Sequence, residues 1–544
     1  MSKVLFGFIT LLFTLSCSKE QQDQAPTADS FPLTQVRLEG NALAANQKNV
    51  ILQPSFQLSF PLPLQEQNLS SHVSILSNGI SVASTITLSA DRQTVTVVPA
   101  ADLEALKAFT LVVRNSLTAT DGKKLDKEYA YTFTTGIDTK DKFDRMPTDE
   151  LLTKVQRQTF TYFWDHAHPS YGMIRERNSS GETVTMGGTG FGLMTILVGI
   201  ERGFVTREQG LERTKKIVSF LKMADTYQGA FAHWYNGATG KTQPFSEKDN
   251  GADLVETALL FQGLLTARTY FNDASLTTDI STLYNAVNWN FFRNGQQTLF
   301  WHWSPNFQWE MNLKISGWNE SLITYILAAG SPTHGIDAAV YEQGWANNGA
   351  MRNGNSYHGI QLPLGPPSGG PLFLSQYSFL GLNPNGLQDQ YASYADQVKN
   401  HSLINRAYCV ANPKAFVGYG ADCWGLTASD DINGYKVHSP TEDNGVISPT
   451  AALAAMPYTP EESIQALEFF YYKLGDKLWG DQGFKDAFSL SEPWFAESYL
   501  AIDQGPIIIG IENYRSGLLW KYFMQTPEIK SALQKLKFTS PNLN

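Results

Sequence analysis

The chain of 544 residues holds three cysteines, Cys17, Cys409 and Cys423. That is too few for a disulfide-built scaffold, so its folded units need hydrophobic cores. Basic residues are also in short supply: 41 Lys and Arg stand against 51 Asp and Glu, a net charge of −10. A surface of that sign repels a phosphate backbone, which excludes nucleic acid as a partner. No Gly-rich loop leads into a helix, so no nucleotide cradle is present. His233, His302, His334, His358, His401 and His438 are scattered without an H-E-x-x-H or equivalent spacing, and they read as no metal centre. A G-x-S-x-G nucleophile elbow is missing too. The apolar run Val4–Leu15 is too short for a relaxed bilayer crossing.

That run fits a targeting segment instead. Met1-Ser2-Lys3 is a short basic start, Ser16-Cys17 follows the apolar stretch, and Ser18-Lys19-Glu20-Gln21-Gln22 turns polar at once. A small residue before a lone Cys resembles a bacterial lipobox, with Thr14 where Leu is usual. The expectation is a lipoprotein signal over 1–17, Cys17 lipidated, and a protein held on the bacterial cell envelope through that lipid. Cys409 and Cys423 then remain, either paired in an oxidising compartment or buried as free thiols.

Residues 18–30 are a polar tether. From Phe31 to residue 137 the pattern is β: Phe56-Gln57-Leu58-Ser59-Phe60, Val95-Thr96-Val97-Val98 and Tyr129–Phe133 alternate with period 2, and Asn78-Gly79 and Asp121-Gly122 supply turns. Several short strands predict a small β-sandwich resembling bacterial Ig-like modules. A charged linker over 138–147 follows. From residue 148 to about 540 the period becomes helical, with Thr148-Asp149 placed as a cap. Helices are expected at 191–202, 208–224, 254–271, 276–292, 319–329, 337–347, 391–408, 449–455, 460–475 and 514–524. Long loops rich in Gly, Trp, Asn, Asp and His join them. Loops of that length are functional when ordered, so the pattern fits a mainly α chain with an (α/α)6 toroid whose loops build a cleft. A helical solenoid is the alternative, but no fixed repeat period is visible.

Acids mark the chemistry. Asp249, Asp253 and Glu256 fall at spacings of four and three, so Asp253 and Glu256 share a helix face below Asp249. The plain alternative is a capping box, Asp253 at the N-cap and Glu256 at N3. Glu320 opens an apolar helix beside Trp318; it is either a dipole-favoured carboxylate or an acid of raised pKa walled by aromatic surface. Asp503, before Gln504-Gly505-Pro506, reads first as a turn residue. Asp422, Asp430, Asp431, Glu442 and Asp443 share a loop-rich stretch. Trp234, Trp301, Trp303, Trp309, Trp318, Trp424 and Trp494 lie in or beside loops, where flat rings stack on sugar faces. His233, Trp234, Trp318, Asn319, Trp424 and Asp430 are the candidates for holding sugar. Two carboxyls working without a cofactor or metal are the economical chemistry.

Eight ordered blocks carry a resemblance: AHWYNGATG, LVETALLFQGLLTARTYF, GWNESLITYILAAGSPTH, YCVANP, WGLTASDDINGY, VISPTAALAAMPYTPE, GFKDAF and IDQGPIIIGIENYRSGLLW. Over residues 145–530 they resemble the bacterial glucoamylase-like domain and, more narrowly, glycoside hydrolase family 144, the endo-β-1,2-glucanases. The resemblance implies a toroid that cuts β-1,2-glucan internally to short sophoro-oligosaccharides, with active-site acids at Asp249, Asp253, Glu256, Glu320 and Asp503. On that basis Glu320 is expected as the general acid of an inverting hydrolase. Asp503 is expected to help activate water, directly or through a relay, while Asp253 and Glu256 orient hydroxyls or tune Glu320. Related blocks also occur in enzymes that remodel β-1,2-glucan. Action on another glucan by hydrolysis or transglycosylation, a non-catalytic glycan-binding lipoprotein and a polysaccharide lyase are the alternatives. The chain is expected to act as a monomer.

Overall fold

A computed structural model describes residues 29–67 and 69–543. Cys17 and its leader lie outside the described residues. The chain divides into two compact units, one ending at Thr135 and one beginning at Gly136.

The first unit is a sandwich of two five-stranded sheets. One is ordered 47–50, 129–135, 108–113, 73–77, 80–82, and the other 41–42, 35–38, 56–59, 94–99, 84–88. The period-2 pattern does the sorting. Along Thr94–Pro99 alternate residues are buried, and Phe56 and Leu58 turn inward on the paired strand. Phe56, Phe109 and Phe133 meet in the core, with ring centroids 5.0–5.7 Å apart.

The second unit is the toroid. Among the described residues it has twelve helices of six residues or more: α1 Thr148–Trp164, α2 Met186–Glu201, α3 Arg207–Met223, α4 Leu254–Phe271, α5 Ala274–Ala286, α6 Leu322–Gly330, α7 Tyr394–Ala411, α8 Pro449–Ala454, α9 Pro460–Glu468, α10 Ala501–Arg515, α11 Leu518–Met524 and α12 Pro527–Lys535. Composition decides which ring each joins. Helices α4, α6 and α8 are apolar nearly all round and buried on every side, as α2 and α10 almost are. These five, with the 3₁₀ turns Leu372–Ser375 and Tyr377–Leu380, form the inner ring. Polar-faced helices such as α3, α5 and α9 bury one stripe and lie outside.

The ring closes through specific contacts. A Cβ placed at Gly263 of α4 would lie 2.0 Å from the Gly190 carbonyl of α2, so those backbones touch directly. The Gln262 amide donates to Ser378 O at 2.7 Å, and the Gln376 amide to Ala451 O at 2.9 Å, joining the 3₁₀ segment to α4 and α8.

Three local expectations change. Pro147, not Thr148, is the N-cap of α1, and no side chain bonds there. The 276–292 helix ends at Ala286 and gives way to a 3₁₀ turn at Phe291–Arg293. Residues 138–147, read as a linker, are bound along the helical unit. Phe143 packs on Tyr471 at 4.7 Å, the Lys142 amide donates to Tyr472 O at 2.7 Å, and Arg145 pairs with Glu468 at 3.1 Å. Cys409 and Cys423 are both buried free thiols. No helix of the described residues is long and apolar enough to cross a membrane.

Candidate active site

Inner helices begin at one end of the ring, and their first turns deliver the acids. Asp253 caps α4: its Oδ1 accepts from the Val255 and Glu256 amides at 2.9 Å each. Its other oxygen, Oδ2, faces His233 Nδ1 at 3.2 Å. One residue is thus both cap and site. Glu256 does not close a capping box. It reaches to the start of α2, where its Oε2 accepts from the Gly187 amide at 2.6 Å and the Thr185 hydroxyl at 3.2 Å. Asp249, in the loop above, lies 3.4 Å from His302 Nδ1, while Asp253 Oδ2 is 3.8 Å from the same nitrogen.

Charge balance follows from these distances. Burial alone would lower the His233 imidazole. The charges of Glu256, Asp253 and Asp249, together with the Asp253 hydrogen bond, outweigh burial and lift it to about 9. His302 is raised in the same way, against burial, by Asp249 and Asp253. Burial would raise Asp253, but its histidine neighbours bring it below the usual range, whereas burial keeps Glu256 above it. Ligand atoms of His233, Asp249 and Asp253 lie within 4.8 Å of one another, a spacing a cation could bridge. With His233 protonated near neutrality, the imidazolium itself supplies the positive charge there.

Glu320 stands in the turn just before α6, which begins at Leu322 rather than at Glu320 itself. Its backbone carbonyl accepts the Ser378 hydroxyl. Burial pushes its carboxyl up to about 7, and the nearby charges of Asp253 and Glu256 add to the rise. A carboxyl that is half protonated at neutral pH is suited to giving a proton away.

A cavity of about 480 Å³ joins these groups. Glu320, Asp253, Glu256 and His233 line it together with Trp234, Trp301, Phe245 and Tyr377. Phe245 stacks on His233 at 4.5 Å. Arg177 and Tyr435 belong both to this cavity and to a second lobe of about 680 Å³ lined by Asp430, Trp494 and Ser498, so the two form one cleft. Arg177 Nη1 donates to both oxygens of Asp430 at 3.2 Å, and its Nε donates to Glu176 at 2.9 Å.

Of the residues singled out in the sequence, the cleft gathers Asp253, Glu256, Glu320, His233, Trp234, Trp301, Asp430, Asp431 and Trp494. Asp249 is buried behind His302, and Asp503 is buried in the first turn of α10, off the cavity surface and not in a turn. Two sugar-holding expectations are corrected. Trp424 is fully buried and donates to Glu462 O, so it packs the helical rings. Trp318 is buried in near-parallel contact with Phe379 and Tyr394 and serves as core. Asn319, half-buried just before α6, accepts the Ser321 amide with its side-chain oxygen. Arg177, Glu176, Tyr377, Tyr435 and Asp486 were not anticipated. Asp486, inside the block GFKDAF, and Tyr435, which ends the block WGLTASDDINGY, carried a signal in the sequence.

A glucoamylase family model matches residues 312–527, and a bacterial Ig-like domain model matches residues 33–135. A solved endo-β-1,2-glucanase of Chitinophaga pinensis, in complex with sophorotriose and glucose, is 52% identical. It covers 73% of this chain and 100% of its own, with a TM-score of 0.72. A glucoamylase-like protein of Bacteroides uniformis is 57% identical and covers 74% of this chain and 100% of its own, with a TM-score of 0.73. The exo β-1,2-glucooligosaccharide sophorohydrolase (non-reducing end) of Parabacteroides distasonis is 43% identical over 420 residues. That match covers 72% of this chain and 58% of the relative, so the chain spans little more than half of that protein's length.

Proposed function

The chain belongs to glycoside hydrolase family 144, the glucoamylase-like β-1,2-glucan hydrolases, and we propose that it cuts β-1,2-glucan internally, with inversion, to short sophoro-oligosaccharides. The observation that carries this reading is Glu320, a carboxyl held near 7 in a cavity walled by Trp234, Trp301 and Phe245. In the proposed mechanism Glu320 protonates the glycosidic oxygen. Asp253, ionised and paired with His233, orients hydroxyls and holds Glu320 in its acid form. Asp503, buried off the cavity, accepts the proton of the attacking water through a relay. Internal cutting is supported by the continuous cleft, which leaves room for sugar units beyond the acids. A lyase would need a free cation for a uronate, whereas Arg177 is engaged by Glu176 and Asp430. The enzyme works as a monomer held on the cell envelope by a lipid on Cys17.

Incubating the purified chain with linear β-1,2-glucan and following products by chromatography tests the reading. The expected result is a rapid fall in chain length with several short products. Sophorose alone from the first minutes points to exo action, and ultraviolet-absorbing products point to a lyase. Intact glucan refutes hydrolysis of this substrate.

A further inference from the structure

Off the cavity surface, on the side of Tyr377 and Tyr435, a second group of acids is closed off from solvent. Asp486, 2% exposed, sits between the strands Gly483–Phe484 and Phe488–Ser489, and Asp503, also 2% exposed, sits in α10. Asp486 Oδ2 accepts the Asp430 amide at 2.7 Å. Asp486 Oδ1 and Asp503 Oδ2 are buried and receive no hydrogen from any neighbouring donor, and the two carboxyls are close enough to bond each other once one of them carries a proton. Carboxylate oxygens only accept, so that bond exists only when one of the two is protonated.

We propose that Asp486 is a positioning residue for Asp503: the two buried carboxyls share one proton, and this singly charged pair, not Asp503 alone, takes up the proton of the attacking water. The proposal rests on the hydrolase reading above.

Asp503 on its own is a poor base. Burial holds its carboxyl well above the carboxylate range, and the charge of Asp486 raises it further. Burial likewise lifts Asp486 to about 7. Two carboxyls in contact cannot both ionise, but one proton between them stabilises the single negative charge that remains. The Asp430 amide and the Arg177 guanidinium face that charge. Asp430, Glu176, Tyr377 and Tyr435 complete the titratable surroundings, and the charge of Glu320 also acts on Tyr377. The step balances. Water oxygen bonds to the anomeric carbon as the glycosidic C–O bond breaks, the leaving oxygen takes the Glu320 proton, and the water proton ends on the pair. The doubly protonated pair and ionised Glu320 then reset by exchanging one proton through solvent.

The test uses Asp486→Asn and Asp486→Ala in the full chain. An amide at 486 still accepts the Asp430 amide and donates N–H to Asp503, which stays ionised and usable. Turnover on β-1,2-glucan should remain within about tenfold of the parent. Alanine leaves Asp503 buried without a donor. Turnover should then fall by about 10²-fold or more, and the acid limb of the kcat–pH profile should move up by about one unit or more. A merely structural role would lower the melting temperature without moving that limb. Infrared difference spectra at pH 8 read the shared proton without substrate: Asp486→Asn loses one protonated-carboxyl stretch and Asp486→Ala keeps it. Equal damage from both substitutions, or an unmoved acid limb in the alanine variant, overturns the role. An unchanged infrared band in Asp486→Asn overturns the shared proton itself. A parent enzyme that leaves β-1,2-glucan intact defeats the hydrolase reading, and the water-activating role with it, whatever the infrared band shows.

Discussion

Glu320→Gln separates catalysis from structure because the two predict opposite signs. The amide keeps the volume of the side chain and its place between α6 and the 3₁₀ segment, but it has no proton to transfer. General acid catalysis is worth about 10²–10⁴-fold, or about 3–5 kcal/mol of barrier, so kcat should fall by that amount. In the parent enzyme kcat should decline as pH rises through about 7, where Glu320 ionises. The variant should lack that limb. Stability moves the other way. A carboxyl whose folded pKa is raised from 4.5 to about 7 favours the folded state fully below 4.5, and the advantage is lost as pH rises through about 7. The full shift corresponds to about 3 kcal/mol, and about half of that is expected for a side chain partly open to the cavity. Glutamine carries no such penalty, so the variant should melt higher than the parent at pH 8.5 and close to it at pH 5. If Glu320 were only a carboxylate favoured by the helix dipole, the same change would cost a few tenths of a kcal/mol and leave turnover intact. Measuring kcat from pH 5 to 9 and melting temperature at both ends, on one preparation, decides between them. A variant with near-parental kcat refutes the assignment and moves attention to Glu256.

Asp253→Asn keeps a good N-cap, so melting should shift by less than about 1 kcal/mol-equivalent. Loss of the Asp253 charge should lower the His233 pKa in an NMR titration and move the alkaline limb of kcat to lower pH; an unmoved limb would mean Asp253 does not tune Glu320. Gly263→Ala forces a Cβ against the Gly190 carbonyl and should cost about 1–3 kcal/mol or more in denaturant unfolding, without changing the substrate range. Deleting residues 18–135 should leave hydrolysis within about tenfold, whereas extending the deletion to residue 147 removes the Phe143–Tyr471 packing and should lower the melting temperature. Cys17→Ala should move the protein from the membrane fraction to the soluble one; continued membrane association would refute lipid anchoring.

The sequence pattern revealed the rings better than it revealed the cleft, for physical reasons. Helix α4 is buried on nearly every face, and its cap, Asp253, stands where a period-based boundary puts it. Gly505-Pro506 pointed to a turn, but Gly505 is needed for another reason. A Cβ there would lie 2.6 Å from Phe191, so the glycine lets α10 approach α2, and Pro506 falls inside the helix. Tryptophans misled for a related reason. Trp234 and Trp301 line the cavity while Trp318 and Trp424 fill the core, and both uses require the same flat apolar ring. What separates them is which side of the ring of helices each loop reaches, and that is fixed only once the ring has closed. The same closure explains why Arg177, Tyr377, Tyr435 and Asp486 went unread. Each is an ordinary residue in its own segment, and it gains chemical meaning only where the loops and hairpins that carry Arg177, Tyr435 and Asp486 and the 3₁₀ segment that carries Tyr377 meet near the start of α10. A carboxyl such as Asp486 is therefore set apart by one buried oxygen, Oδ1, that no donor reaches, a property of the folded ring that no spacing in the chain encodes.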